Sequence, residues 1–423
     1  MRSAIVRAGI VALGTILFAS GCSDDHKDLL SPPTHTEAAL VSGGGRCSSI
    51  VLCGPQVNWI DISAGAGVTC AVHAQPLFRL TLPTQSNLFC WGDNYRGMLG
   101  VGPTTERCPG GYSYNVSPTS CSTVPIPVAG THQFVSVSVG MSHVCAIEGG
   151  TALAFCWGYN GSGQLGLGFQ NVQYFPVGDP VDGFTFSSIA AGNGQTCGVT
   201  TAQDIVCWGG SFGVTPVLQS NGVDKFKSVT LEGAPSATVV CGLTTGGSSC
   251  GGFRAPYDML GQGTTANHFC QIVAGSGQLE CWGSNSDGQL GIATSTKASA
   301  PSYNPIQVMG TFQSVSTGEL HTCALSGTDA FCWGHNFAGE LGDQTQGSKA
   351  VPTKVSSPWG TTLVFSKIAV GAEHTCAIAN NSLWCWGRND SGQLGIGTTS
   401  TWLTYPTYAP VVGSSIAVKV SGT

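Results

Sequence analysis

The stretch His374-Thr375-Cys376-Ala377-Ile378-Ala379-Asn380-Asn381-Ser382-Leu383-Trp384-Cys385-Trp386-Gly387-Arg388-Asn389-Asp390-Ser391-Gly392-Gln393-Leu394-Gly395 decides the fold. It reads as a β-hairpin. If Cys376 and Cys385 face each other across antiparallel strands, pairing runs Ala377–Trp384, Ile378–Leu383 and Ala379–Ser382. Asn380-Asn381 is then a two-residue turn, and asparagine tolerates the positive φ that such turns require. Pair types alternate outward from the turn, so the cysteines fall on a non-hydrogen-bonded pair. There the Cα atoms come within about 4.5 Å, inside disulfide reach.

The pattern recurs along the chain. Cys-Trp-Gly begins at Cys90, Cys156, Cys207, Cys281, Cys332 and Cys385. Gly-Gln-Leu-Gly begins at Gly163, Gly288 and Gly392, with altered copies at Gly97 and Gly339. Cysteine pairs at hairpin spacing are Cys70–Cys90, Cys145–Cys156, Cys197–Cys207, Cys241–Cys250, Cys270–Cys281, Cys323–Cys332 and Cys376–Cys385. Two local pairs remain, Cys47–Cys53 and Cys108–Cys121. Of 19 cysteines only Cys22 lacks a neighbour. That is the usage of an oxidising compartment.

Before each hairpin lies a strand of alternating apolar and small residues ending in glycine. Examples are Trp59–Gly65, Phe134–Gly140, Phe186–Gly192, Phe312–Gly318 and Phe365–Gly371. The small residues point to a crowded position where strands converge on an axis. A repeat of roughly 50 residues built from short strands implies a closed, radially repeated sheet architecture. The order of parts resembles the regulator of chromosome condensation repeat family: a histidine-threonine hairpin, Trp-Gly, asparagine, then Gly-Gln-Leu-Gly. The resemblance covers nearly everything from Trp59 onward. It implies an all-β β-propeller, usually of seven four-stranded blades, here with one intra-blade disulfide per repeat. Six blades are the alternative, because Cys250 is followed by Gly251-Gly252 instead of Trp-Gly and no inner strand precedes Cys270. The final Ile416–Gly422 reads as an eighth inner strand that could complete a blade begun at the amino end.

Residues 1–21 read as a lipoprotein signal peptide. Arg2 and Arg7 precede an apolar core, Ala8–Phe18, too short to span a bilayer. Ala19-Ser20-Gly21-Cys22 resembles a bacterial lipobox, which implies acylation of Cys22 and an outer-membrane anchor. Residues 22–58 read as a tether and 59–423 as the propeller. Charged residues are only 9% of the chain, the net charge is −6 and there is no basic run, so nucleic acid is not an expected partner.

No catalytic constellation stands out: there is no phosphate loop, Gly-x-Ser-x-Gly or His-Glu-x-x-His. Carboxylates such as Glu232, Glu319, Glu340 and Glu373 are scattered over different units. His143, His321 and His374 each stand two residues before a cysteine, but cysteines placed to oxidise are not zinc ligands. No metal or cofactor is therefore expected; the repeated tryptophans are read as packing between blades and the repeated histidines as structural. Candidate binding residues vary between the turns after Trp-Gly: Tyr95, Arg96, Tyr159, His335, Phe337 and Arg388. Tyr112 and Tyr114 join them on an insertion, Thr104–Ser122, clipped by Cys108–Cys121. The expectation is a monomeric, non-catalytic envelope lipoprotein that binds a protein or glycan. The alternative is an inhibitor of an extracytoplasmic hydrolase, since secreted bacterial β-lactamase-inhibiting propellers resemble this repeat. A carbohydrate-active enzyme ranks lower. The family's eukaryotic role, nucleotide exchange on a nuclear GTPase, is not expected to transfer.

Overall fold

The computed structural model describes residues 58–74, 85–109, 118–175, 180–219, 225–232, 239–244, 247–250, 268–273, 276–292, 302–400 and 414–422. They belong to one unit, Gly54–Thr423. The signal, Cys22, the tether through residue 57 and the Cys47–Cys53 pair lie outside the described residues, as do Tyr112 and Tyr114.

Seven antiparallel sheets follow one another along the chain. Blade 1 runs Trp59–Ala64, Val68–His73, Leu88–Asp93 and Thr119–Pro127, with Arg107–Cys108 added at its outer edge. Blade 2 is Phe134–Val139, His143–Glu148 and Ala154–Gly158. Blade 3 is Phe186–Ala191, Thr196–Thr200, Ile205–Trp208 and Val217–Leu218. Blade 4 is Phe226–Glu232, Val239–Thr244 and Gly247–Cys250. Blade 5 is His268–Ile272, Gln278–Gly283 and Ser302–Thr311. Blade 6 is Ser314–Thr317, His321–Ser326, Asp329–Gly334 and Lys349–Lys354. Blade 7 is Phe365–Val370, His374–Ala379, Ser382–Gly387 and Ser414–Lys419. The hairpins of blades 4 and 5 thus lie in separate sheets, and among the described residues no inner strand precedes the hairpin of blade 5.

The register of the deciding hairpin is that expected from its turn. Cys376 pairs with Cys385, Ala377 with Trp384, Ile378 with Leu383 and Ala379 with Ser382. Asn380 and Asn381 take φ of 50° and 58°. The Cys376–Cys385 Cα atoms are 4.1 Å apart. The same disulfide joins the hairpins of blades 1, 2, 3, 5 and 6. In blade 4 the backbone register again sets Cys241 opposite Cys250.

The ring closes between blades 7 and 1. Asp61 on the innermost strand of blade 1 accepts the Val137 N–H of blade 2 at 2.9 Å and Lys367 Nζ of blade 7 at 2.8 Å. Ser63, Ser138 and Ser316 each accept a backbone N–H from the next innermost strand, which explains the small polar residue repeated there. A Cβ on Gly65 would overlap the Gly140 carbonyl, and one on Gly371 would overlap the Gly65 carbonyl. Glycine ends these strands because successive backbones meet at the axis.

The eighth-strand expectation is corrected. Ser414–Lys419 pairs antiparallel with Ser382–Gly387 as the outer fourth strand of blade 7. It completes its own blade and not the first one. Alternation marks any half-buried strand, inner or outer, so the pattern alone could not place it. Among the described residues the one helix is a single 3-10 turn, Gly210–Phe212, and no helix is long and apolar enough to cross a membrane.

Candidate binding face

The turns after Trp-Gly in blades 1, 2, 5, 6 and 7 are built the same way, while in blade 3 the 3-10 turn Gly210–Phe212 takes that place. The asparagine side chain accepts the N–H five residues on: Leu99 to Asn94, Leu165 to Asn160, Leu290 to Asn285, Leu341 to Asn336 and Leu394 to Asn389. Its amide donates forward to a carbonyl of the same turn, as in Asn94 to Gly102 and Asn389 to Thr398. A short apolar-poor loop is held by its own side chain.

That turn presents one backbone carbonyl to the next blade. The Gln393 carbonyl of blade 7 accepts from Trp91 Nε1 at 2.9 Å and from Thr69 Oγ1 at 3.2 Å, both in blade 1. Thr69 Oγ1 in turn lies 2.9 Å from His374 Nε2 of blade 7. The hydroxyl proton goes to the carbonyl, so the histidine Nε2–H is the donor. The same joint recurs as His321–Thr375–Glu340 carbonyl–Trp386, His268–Thr322–Gln289 carbonyl–Trp333, and His143–Thr196–Gln164 carbonyl–Trp208. These tryptophans are fully buried. Trp282 departs from the pattern: it is half-buried and stacks on Phe269 at 5.7 Å.

The four histidines are fully buried and their Nδ1 atoms have no hydrogen-bond partner in the protein. Burial holds them neutral, with the pKa of His143 and His268 lowered to about 3 and that of His374 to about 4. His321 is lowered well below 6.5 by burial and by the neighbouring His335, His374 and His268. The joint between blades 1 and 2 is apolar instead. Val68 stands where the histidine would be and Val144 where the threonine would be, both in one apolar cluster, while Trp157 Nε1 still donates to the Met98 carbonyl.

One side of these joints is a face of variable residues. The residue after Trp-Gly donates its N–H to the inner turn of its own blade: Asp93 to Gly67, Tyr159 to Ser142, His335 to Leu320 and Arg388 to Glu373. One backbone position therefore carries a carboxylate, a phenol, an imidazole and a guanidinium in different blades. Arg388 pairs with Glu373 and Asp390. His335 Nδ1 is 2.7 Å from Glu340 Oε1 and its ring is 4.5 Å from Phe337. Burial pushes the His335 pKa down, but Glu340, then Asp287 and Glu373, outweigh it, and the net shift is upward. The Arg96 guanidinium lies 4.6 Å from the Tyr159 ring centroid. Tyr95 and Phe337 are each 60% exposed.

Spacing along the chain singled out the aromatic and basic members of this face. It missed the carboxylates that hold them, Asp93, Asp390 and, as a partner for Arg388, Glu373. Aligning the units on Cys-Trp-Gly puts Asp93 in the column of Tyr159, His335 and Arg388, and that signal was available. The insertion is anchored by Cys108–Cys121, by Thr104 bonded to Ser120 and by Glu106 bonded to Thr123. Among the described residues no three metal-ligating side chains converge.

Models of the regulator of chromosome condensation (RCC1) repeat match residues 85–147, 276–325, 329–378 and 380–422, and a second model of that repeat matches 365–393. The chain carries RCC1 repeats. RCC1-repeat relatives include the mitochondrial RCC1 domain-containing protein RUG3 of Arabidopsis thaliana, 27% identical over 78% of this chain and 66% of that protein. The ultraviolet-B receptor UVR8 of the same plant is 26% identical over 73% of this chain and 74% of that protein. The match to human E3 ubiquitin-protein ligase HERC2 is 26% identical over 77% of this chain but only 6% of that protein. Among solved structures, yeast RCC1 (Prp20) bound to Kap60 superposes with a TM-score of 0.60 at 17% identity, covering 79% of this chain and 83% of that chain. Prp20p of Saccharomyces cerevisiae, whose binding to Gsp1p and histones is reported with its structure, gives 0.57 at 17% identity, covering 79% and 86%. The RCC1 propeller is thus the fold of the described blades.

Proposed function

We propose that this protein is a non-catalytic scaffold that binds a protein partner through the face carrying Tyr95, Arg96, Tyr159, His335, Phe337 and Arg388. One observation carries the reading. A single backbone position, fixed to the inner turn of its own blade, bears a different chemical group in each of blades 1, 2, 6 and 7, while the joints beneath it repeat. Rigid presentation lowers the ordering cost of association, and exposed aromatics such as Tyr95 and Phe337 supply contact area at little entropic cost. Solved relatives with this fold are described with protein partners.

The scaffold acts outside the cytoplasm, anchored to the bacterial envelope by lipid on Cys22. Fully or nearly fully buried disulfides in the hairpins support an oxidising compartment. Replacing Cys22 with alanine should abolish metabolic labelling by a fatty-acid analogue and release the protein from membrane fractions. Retention of label would refute the anchor.

The binding reading is tested by crosslinking from envelope fractions with the lipidated protein as bait. The controls are a Tyr95→Ala, Phe337→Ala double variant and a variant lacking residues 104–122. A partner enriched by the wild type and lost in the double variant supports the reading. A partner lost only with the insertion moves the site to that loop. No enrichment over bare resin overturns the reading and favours screens of glycans and hydrolases.

A further inference from the structure

The strands of each blade run between two faces of the ring. The loop face holds the residues after Trp-Gly, and the opposite face holds the hairpin turns. Trp359 stands on the hairpin face. It belongs to the turn Pro358-Trp359-Gly360-Thr361, where the Thr361 N–H donates to the Pro358 carbonyl at 3.0 Å and Gly360 takes a φ of 74°. That is the geometry of a type II turn, which favours glycine at its third position. The strand Phe365–Val370 follows, and Phe365 pairs with Ala379 beside the Asn380-Asn381 turn. The Asn380 side chain ties that turn to the connection, accepting the Val364 N–H and donating to the Thr362 carbonyl. A fixed turn thus holds an indole in solvent. Trp359 is 97% exposed, more than any other large apolar side chain among the described residues.

Other apolar side chains share this face. Ile60, Val135 and Val364 are exposed at or beside the first residues of innermost strands, and Met309, 80% exposed, lies at the hairpin end of the outer strand of blade 5. The described chain also begins here: Asn58 accepts the Ala74 N–H at 2.7 Å, at the hairpin end of blade 1. Residues 23–57 join Asn58 to Cys22, so lipid on Cys22 gives this face a higher effective concentration at a bilayer than the far face. Charge points the same way. On the hairpin face Lys225, Lys354 and Lys367 are paired with Asp204, Asp329 and Asp61, and Lys227, Lys419 and Asp182 are exposed. The loop face sets Asp93, Asp287, Glu319, Glu373 and Asp390 against Arg96, Arg388 and His335, and anionic lipid repels such a surface. We propose that the hairpin face rests on the bilayer, with the Trp359 indole inserted at headgroup level. Tryptophan favours that zone because its ring is apolar while its N–H stays near water. The loop face then points away from lipid, toward a partner. The proposal rests on the Cys22 anchor and adds an orientation to it; one indole binds reversibly and does not replace the lipid.

The test reconstitutes the lipidated protein into vesicles of phosphatidylethanolamine and phosphatidylglycerol with brominated acyl chains, which quench indoles that reach the bilayer. Fluorescence should be lower than in unbrominated vesicles, and Trp359→Phe should abolish the difference. The unlipidated Cys22→Ala chain should float with the same vesicles at high lipid concentration. There Trp359→Ala should lower the partition coefficient about tenfold, with Tm unchanged within about 1 °C. Phe169→Ala removes an exposed ring from a turn of the loop face and should change partition less than about twofold. Unquenched fluorescence in membrane-retained, lipidated protein overturns the proposal and leaves the anchor standing. Quenching that survives Trp359→Phe overturns it too, because another tryptophan then makes the contact. If the wild type carries no lipid, the anchor reading falls and flotation decides: partition that does not depend on Trp359, or no partition, overturns the proposal. A captured protein lost in Trp359→Ala, with no quenching in vesicles, makes this face a protein site instead.

Discussion

Trp386 and Arg388 stand two residues apart and belong to different parts of the molecule. Trp386 is fully buried and donates to the Glu340 carbonyl of blade 6, and its counterparts in blades 1, 3 and 6 make the same bond to the blade before them. Arg388 lies on the loop face, where its counterparts are Asp93, Tyr159 and His335. The joint repeats because each of its groups is buried and answers to another; a lone change would strand a donor or acceptor. Val68 and Val144 show the rule from the other side, since histidine and threonine are both absent from that joint. The face varies because its only fixed duty is a backbone N–H, which any residue but proline can perform. Stability and recognition are thus written in adjacent positions of one repeat.

The sharpest way to break that division is acid. The four joint histidines are neutral when folded, with pKa values lowered by burial, and regain an ordinary value near 6.5 when unfolded. The unfolded chain therefore binds more protons below pH 6.5, and stability falls as pH drops from there toward 4. At pH 5 each histidine should cost about 2 kcal/mol, and four together up to about 8 kcal/mol if additive. His335 acts in the opposite sense, since its raised pKa gives stability that is lost at higher pH. Thermal unfolding of the oxidised protein should show Tm lower by roughly 10 °C at pH 5 than at pH 7. His143→Gln should flatten that dependence by about a quarter, one joint of four. A Tm that does not move between these pH values would contradict neutral buried joints.

Removing one wedge comes next. Trp386→Ala deletes a fully buried indole and its bond to the Glu340 carbonyl, and should cost about 3–5 kcal/mol in denaturant unfolding. Thr375→Val keeps the shape but strands the His321 Nε2–H and one acceptor site of that carbonyl, for about 1–3 kcal/mol. If the valine variant were as stable as the wild type, the polar joint would be no better than the Val68–Val144 arrangement.

These joints were only half legible in the sequence. The hairpin register was readable because Asn380-Asn381, the cysteine spacing and the strand alternation are local and agree with one another. The repeated histidine was visible, but its partner was not: Thr69 and His374 are 305 residues apart in sequence. The ion pairs Asp61–Lys367 and Arg388–Glu373 are hidden for the same reason, being set by ring closure and turn geometry. The last strand was misplaced because alternation reports half-burial without saying which strand lies beside it.

The smallest effect on stability carries the most about function. Tyr95→Ala and Phe337→Ala alter side chains that are 60% exposed and sit above the joints. Each should change unfolding free energy by no more than about 0.5 kcal/mol. Binding of the partner captured on this face should fall by about 1–3 kcal/mol for a central aromatic contact. Affinity measured by surface plasmon resonance, beside denaturant unfolding of the same samples, separates the two readouts. If either variant lost stability in step with binding, the face would be part of the fold's own support and the division between joint and rim would fail. If binding falls while unfolding does not move, the residue after Trp-Gly and its neighbours are free to specify a partner without touching the ring that holds them.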